Sequence, residues 1–132
     1  MVRKHDPFVL LVDDHEPGLI RLKKVVEIAG YECEMTLSGA DALVLCEARR
    51  PSLVVTDLAM PHMDGHGLGR SLRRRYPSLP MLVLTGELLD GPKRAALSRT
   101  FHSVLTKPLQ VEPFLTLLAE LLTQSQAPVP SP

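Results

Sequence analysis

The chain has no tryptophan, and only three phenylalanines and two tyrosines bring its aromatic content to 4%. A core must therefore be built from Leu, Val, Ile, Ala and Met. Cysteine is scarce as well: Cys33 falls in an expected strand and Cys46 in the middle of an amphipathic helix. Both read as small buried apolar residues and not as a disulfide or redox pair. No charge is in excess, since 15 Lys and Arg balance 15 Asp and Glu. That removes the global argument for attraction to nucleic acid or to a membrane surface. No apolar run reaches the ~20 residues of a bilayer span. Met1-Val2-Arg3-Lys4-His5-Asp6 leads into no signal-peptide apolar region or cleavage site. The expectation is a cytoplasmic protein that neither enters a membrane nor binds nucleic acid. Its 132 residues suffice for one domain with one core. That domain is read as 7–123, and the Gln-, Ser- and Pro-rich stretch 124–132 as a linker or disordered end.

What is present is an alternation of short apolar runs with helix-period segments, the pattern of a parallel sheet with helices on both faces. Runs such as Val9–Val12 and Leu53–Val55 are apolar throughout, which suits strands covered on both sides. Tyr31 to Thr36 instead alternates, as expected of a strand near a sheet edge. A helix from Glu16 to Ala29 places Leu19, Leu22, Val26 and Ala29 on one face, with Gly30 as its stop. Ser38 caps a second helix with Asp41 three residues on. Its apolar face is Ala42, Leu43, Leu45 and Cys46, and it ends at Arg49-Arg50 before Pro51. A third helix is expected from about Gly67 to Tyr76, with Arg70, Arg73, Arg74 and Arg75 as a solvated face, because no aromatic residues interleave with them. A short fourth helix around Lys93–Arg99 is the weakest, and a last runs from about Glu112 to Thr123 with Pro113 in its first turn.

Four strand ends carry polar residues that suit one chemistry. Asp13-Asp14 follows Phe8–Val12, Asp57 follows Leu53–Thr56, Thr85-Gly86 follows Met81–Leu84, and Lys107-Pro108 follows Val104–Thr106. Ligands of open α/β sheets bind in the crevice outside the carboxyl ends of the strands. Three carboxylates there would repel one another and call for a cation. A hard divalent ion such as Mg²⁺ accepts carboxylate, water and phosphate oxygens. A carboxylate is also a competent nucleophile toward phosphorus, and phosphoryl transfer needs positive charge and hydrogen-bond donors on the moving oxygens. Asp57, Lys107, Thr85 and Gly86 match those needs, with the glycine leaving room beside the hydroxyl. Singly, Asp14 is explained as a helix cap, Asp57 as a strand end and Thr85 as a strand former; jointly, a site is the better reading.

These segments resemble the receiver domain of bacterial two-component response regulators. The likeness runs from about Phe8 to Leu122 and rests on Val12-Asp13-Asp14, on Asp57-Leu58-Ala59-Met60-Pro61-His62-Met63-Asp64-Gly65, on Leu84-Thr85-Gly86 and on Leu105-Thr106-Lys107-Pro108. The resemblance implies a five-stranded parallel doubly wound sheet of order 2-1-3-4-5 in a flavodoxin-like three-layer α/β sandwich. It implies Asp57 as phosphoacceptor, and Asp13, Asp14, Asp57 and the Ala59 carbonyl as ligands of Mg²⁺. It further implies Lys107 paired to Asp57 and then to the phosphoryl group, with Thr85 and Gly86 beside that group. The donor would be a phosphohistidine of a sensor histidine kinase or phosphotransfer domain. The domain would catalyse only its own phosphoryl transfer and dephosphorylation. A partner or homodimer face would lie on the fourth helix, fifth strand and fifth helix, with Leu88, Leu89 and Arg94 to Leu97 as contributors.

One departure from the family is Val104, where such domains usually carry Tyr or Phe three residues before the lysine; Thr100-Phe101-His102 also replaces the common small residues. Intact phosphorylation chemistry with a weak or rerouted aromatic switch is expected. The positions that commonly tune phosphoryl lifetime are here Ala59 and Glu87. The alternative is a receiver-shaped interaction module that works without phosphate. A dehalogenase-like phosphatase would need a second aspartate where Ala59 stands, and a phosphate-binding loop at Gly86–Lys93 is spoiled by Pro92. His62 and His66 lack a third zinc ligand nearby.

Overall fold

Every apolar run read as a strand is one. In the computed structural model, which describes residues 7–126, the elements alternate strictly. They are β1 (Val9–Val12), α1 (Glu16–Ile28), β2 (Cys33–Thr36), α2 (Gly39–Ala48) and β3 (Leu53–Asp57), then α3 (Gly65–Arg75), β4 (Met81–Thr85), α4 (Gly91–Thr100), β5 (Ser103–Thr106) and α5 (Val111–Gln126). The strands form one parallel sheet in the order β2-β1-β3-β4-β5, as expected.

The two-residue period of the strands divides their side chains between two cores. Leu10, Val12, Val54, Met81 and Val83 meet Ala42, Cys46, Leu68, Leu72 and Leu97 from α2, α3 and α4. Val9, Leu11, Leu53, Val55, Leu82 and Leu84 meet Leu19, Val26, Phe114, Leu118, Leu121 and Leu122 from α1 and α5. With both faces covered, the central strands have no polar face to spare, and β1, β3 and β4 are buried along their whole length.

Boundaries shift where a cap decides them. Asp64 Oδ1 accepts from the Gly67 N–H at 2.7 Å, so α3 begins at Gly65, two residues before the expected start. Asp90 Oδ1 does the same for Lys93 at 2.8 Å, and α4 begins two residues early at Gly91, with Pro92 in a first turn that needs no N–H from it. The weakest helix of the sequence is thus an ordinary capped one. Ser38 caps α2 as expected, accepting from Asp41 N–H at 3.1 Å. Gly30 closes α1 with a φ of 101°, a left-handed conformation that costs glycine nothing. Ala29, placed on the apolar face of that helix by its spacing, is exposed because it already lies in the cap. α5 continues through Gln126, three residues into the stretch read as a tail, while 127–132 lie outside the described residues.

Two surface expectations change. Leu97 belongs to the core and not to a partner face, since it packs between α4 and the sheet. Arg73 is no solvated residue of the α3 face: it donates to Thr100 O at 2.8 and 3.2 Å and to Pro77 O at 2.7 Å. Arg70, Arg74 and Arg75 are exposed, with Arg75 paired to Glu47 at 2.7 Å.

Candidate functional site

The chain leaves β1 for β2 on one side and returns to β3 on the other, so the connections after β1 and β3 diverge and open a crevice at their carboxyl ends. Register decides what faces it. Val12 pairs with Thr56, which sets Asp13 beside Asp57, one step further along each strand. Thr85 pairs with Thr106, and Lys107 N–H donates to Thr85 O at 2.9 Å, carrying its side chain over the same opening.

All four sequence motifs converge there. Lys107 Nζ lies 2.7 Å from Asp57 Oδ1 and 3.8 Å from Asp13 Oδ2. One carboxylate oxygen each from Asp13, Asp14 and Asp57 falls within 4.8 Å of the others. Asp57 is 7% exposed although it carries the charge at the centre of the site. Burial raises the Asp13 carboxyl above its ordinary range, helped by the charge of Asp57 and opposed by the His15 N–H and by Lys107. His15 N–H donates to Asp13 Oδ1 at 3.0 Å, fixing that carboxylate over the start of α1. For Lys107, burial works against the charge, but the hydrogen bond to Asp57 and the nearby carboxylates outweigh it and raise its pKa.

Thr85 is 1% exposed, and its Oγ1 accepts from the Glu87 N–H at 3.0 Å. A hydroxyl has one proton and two lone pairs, so that bond leaves the Thr85 proton free to donate. A Cβ added to Gly86 would meet nothing within 4 Å, so the space beside Thr85 is open. Ala59 lies exposed in the loop after β3. With Met60, Pro61, Glu87 and Leu89 it lines a cavity of about 560 Å³ that adjoins the crevice.

Some positions that shape the site were not legible as such. Gly65 is the clearest: a Cβ there would lie 2.1 Å from the Asp57 carbonyl oxygen, and Gly65 N–H donates to Leu58 O at 2.8 Å. The first turn of α3 therefore rests on the backbone of Asp57, and only the Asp-Gly pair ending the loop hinted at it. Val104 is half-buried in β5 opposite Val83. Phe101 is buried on Gly69 of α3, where an added Cβ would lie 2.4 Å from the ring. The Lys107–Pro108 peptide is cis.

The donor set fits a hard divalent cation. Three carboxylates gather with a single lysine against them, and every ligand atom is an oxygen. Among the described residues no other group of three His, Cys, Asp or Glu side chains is placed to hold a metal, so His62 and His66 form no such centre. Among them, too, no helix is long and apolar enough to cross a membrane.

Comparison with known proteins agrees with this geometry. The model of a family described as the response regulator receiver domain matches residues 9–119. The sensor histidine kinase RcsC of Escherichia coli K12 is 32% identical over 124 residues, covering 92% of this chain and 13% of that protein. The response regulator MprA of Mycobacterium sp. KMS is 33% identical over 117 residues, covering 89% of this chain and 51% of MprA. The chain thus spans about half of one relative and a small part of the other. Among solved structures, the signal receiver domain of an HD domain-containing protein from Pseudomonas fluorescens Pf-5 superposes with a TM-score of 0.84 at 28% identity. That match covers 92% of this chain and 98% of the other.

Proposed function

The chain belongs to the response regulator receiver domain family, and on that premise we propose that Asp57 accepts a phosphoryl group from a phosphohistidine. The carrying observation is that Asp57, Asp13 and Asp14 converge on one point with Lys107 Nζ 2.7 Å from Asp57 Oδ1. A carboxylate oxygen of Asp57 attacks phosphorus, the O–P bond forms as the N–P bond breaks, and the donor imidazole keeps the electron pair and takes a proton from solvent. Burial strips water from the Asp57 carboxylate and fixes its direction. Lys107, already beside that carboxylate, places its charge on the phosphoryl oxygens once the carboxylate has become an ester. Thr85 donates its free proton to another of those oxygens, and Gly86 leaves the incoming group unobstructed. Asp13, Asp14, Asp57 and the Ala59 carbonyl are the groups that would hold Mg²⁺, which when bound neutralises charge on the transferred group.

The domain is read as residues 7–123, working on no substrate beyond its own phosphoryl group, in the cytoplasm. A sensor histidine kinase or a histidine phosphotransfer domain would be the donor, and the α4-β5-α5 face would meet a partner or a second copy. Leu88, Arg94 and Ala95 are exposed at α4 and its entry loop, which supports that face. Loss of the ring at Val104 leaves the expectation of a rerouted switch standing.

Intact-mass analysis after incubation with acetyl phosphate and Mg²⁺ tests the reading. A single phosphoryl adduct is expected, absent from Asp57→Asn and from the metal-free protein. An adduct that persists in Asp57→Asn would place the phosphoacceptor at another residue, and none in the wild type would leave a receiver-shaped module that works without phosphate.

A further inference from the structure

At the edge of the sheet opposite Asp57, the ends of α3 and α4 and the start of β5 border a shallow, open groove of about 390 Å³. Arg73, Ser98, Arg99 and His102 line it beside Pro77 and Thr100, and no carboxylate does. Its position is fixed by His102, whose N–H donates to O of Met81, the first residue of β4, at 2.8 Å. Four residue steps along β4 lead from that point to Thr85, roughly 13 Å at the rise of a strand.

The cations there lack counter-charges. Arg73 is half-buried, yet its three hydrogen bonds all go to neutral carbonyl oxygens of Thr100 and Pro77. Among the described residues it has no carboxylate partner, and burial lowers its pKa with nothing opposing. A guanidinium carries five N–H groups, so two remain unused. Charges taken out of water are ordinarily paired. Arg99 is exposed and, among the described residues, likewise has no carboxylate partner. His102 Nδ1 accepts from the Met81 N–H at 3.2 Å, which leaves Nε2 as the protonated nitrogen of the neutral ring. Carbonyls at the ends of both α3 and α4 would oppose an anion, but Pro77 O accepts from Arg73 and Thr100 O accepts from it twice.

We propose that this groove binds a small oxyanion, a phosphate group or a carboxylate, held by Arg73, Arg99 and His102 with the Ser98 hydroxyl. Arginine matches both, since its planar fork pairs with two oxygens at once. Such a ligand would tie the last turn of α3 to the last turn of α4 without touching the phosphoacceptor. The site is therefore spatially distinct from the crevice at Asp57.

The test is a ¹⁵N–¹H NMR titration of the full chain with sodium phosphate, with sodium acetate, and with sodium chloride at matched ionic strength. Saturable shifts of the Arg73 Nε–H and of the Ser98 and Arg99 amides are expected with one of the two oxyanions. Arg99→Glu, an exposed substitution that leaves the core alone, should weaken binding at least tenfold with an unchanged melting temperature. Asp57→Asn should bind as the wild type does, which separates this site from the crevice. Saturation with phosphate alone assigns a phosphate-bearing ligand; saturation with acetate assigns the carboxylate of an acidic side chain or metabolite. Shifts that chloride reproduces, or that persist in Arg99→Glu, would overturn the proposal.

Discussion

Replacing Gly65 with alanine tests whether α3 rests on the phosphoacceptor strand. The new Cβ would lie 2.1 Å from the Asp57 carbonyl oxygen and 3.0 Å from both the Asp57 carbonyl carbon and Leu58 Cα. All three obstacles are backbone, so no rotamer change relieves them. Reaching an ordinary carbon–oxygen separation of ~3.3 Å requires the chain to open by about 1 Å. Overpacking of this kind costs ~1–3 kcal/mol, and loss of the Gly65–Leu58 hydrogen bond adds ~0.5–1.5 kcal/mol. A destabilisation of about 2–4 kcal/mol follows, within a typical domain stability of ~5–15 kcal/mol, so the variant stays largely folded. Labelling of Asp57 should fall further than the folded fraction, because a ~1 Å misplacement costs on the order of a hundredfold in rate. Two controls bracket the effect. Gly69→Ala meets a side chain instead of backbone, the buried Phe101 ring with its Cζ 2.4 Å away; the whole ring must shift, a cost partly offset by the ~1 kcal/mol that mid-helix alanine returns. Gly86→Ala meets nothing within 4 Å and should lie within ~0.5 kcal/mol of wild type. Urea denaturation and acetyl phosphate labelling read all three. A Gly65→Ala protein as stable as Gly86→Ala, labelled at the wild-type rate, would refute the argument.

Asp64→Ala and Asp90→Ala each remove one helix cap and should lower stability by ~0.5–2 kcal/mol in the same denaturation assay. Mg²⁺ should raise the melting temperature of the wild type in a concentration-dependent way and do far less for Asp13→Asn. Burial pushes the Cys33 thiol up to about 12 and the Cys46 thiol up to about 11. The folded protein should therefore resist a thiol-specific reagent at pH 8 and react stoichiometrically in urea. The same shifts make stability fall as pH rises above 9, because the unfolded chain then ionises thiols that the fold keeps protonated. His66 and His102 shift the other way, lowered first by burial and then by Arg70 and Arg73 respectively. Stability should thus decline as pH falls below 6.5, the value of a free imidazole, and melting curves across pH 5–10 check both limbs.

The sequence by itself determined the five strands, the buried character of β1, β3 and β4, and the polar residue at the end of each strand that carries one. Those signals are local: an apolar run of four or five residues, then Asp-Asp, Asp, Thr-Gly or Lys-Pro. The order of the sheet and the crevice came with the family likeness carried by those same motifs. Helix starts were less legible. The Ser38 cap was read from the sequence, but those at Asp64 and Asp90 show themselves only where each carboxylate meets an N–H three residues on, that of Gly67 and of Lys93. The same likeness implied Asp13 and Lys107 beside Asp57, but it is register that brings them there, across contacts between residues more than 40 positions apart. The closeness of Gly65 to Asp57 O, the seat of Phe101 on Gly69 and the clamp of Arg73 on Thr100 O are likewise tertiary. None has a periodicity or spacing that marks it, because each depends on where two helices and a strand end come to lie against one another.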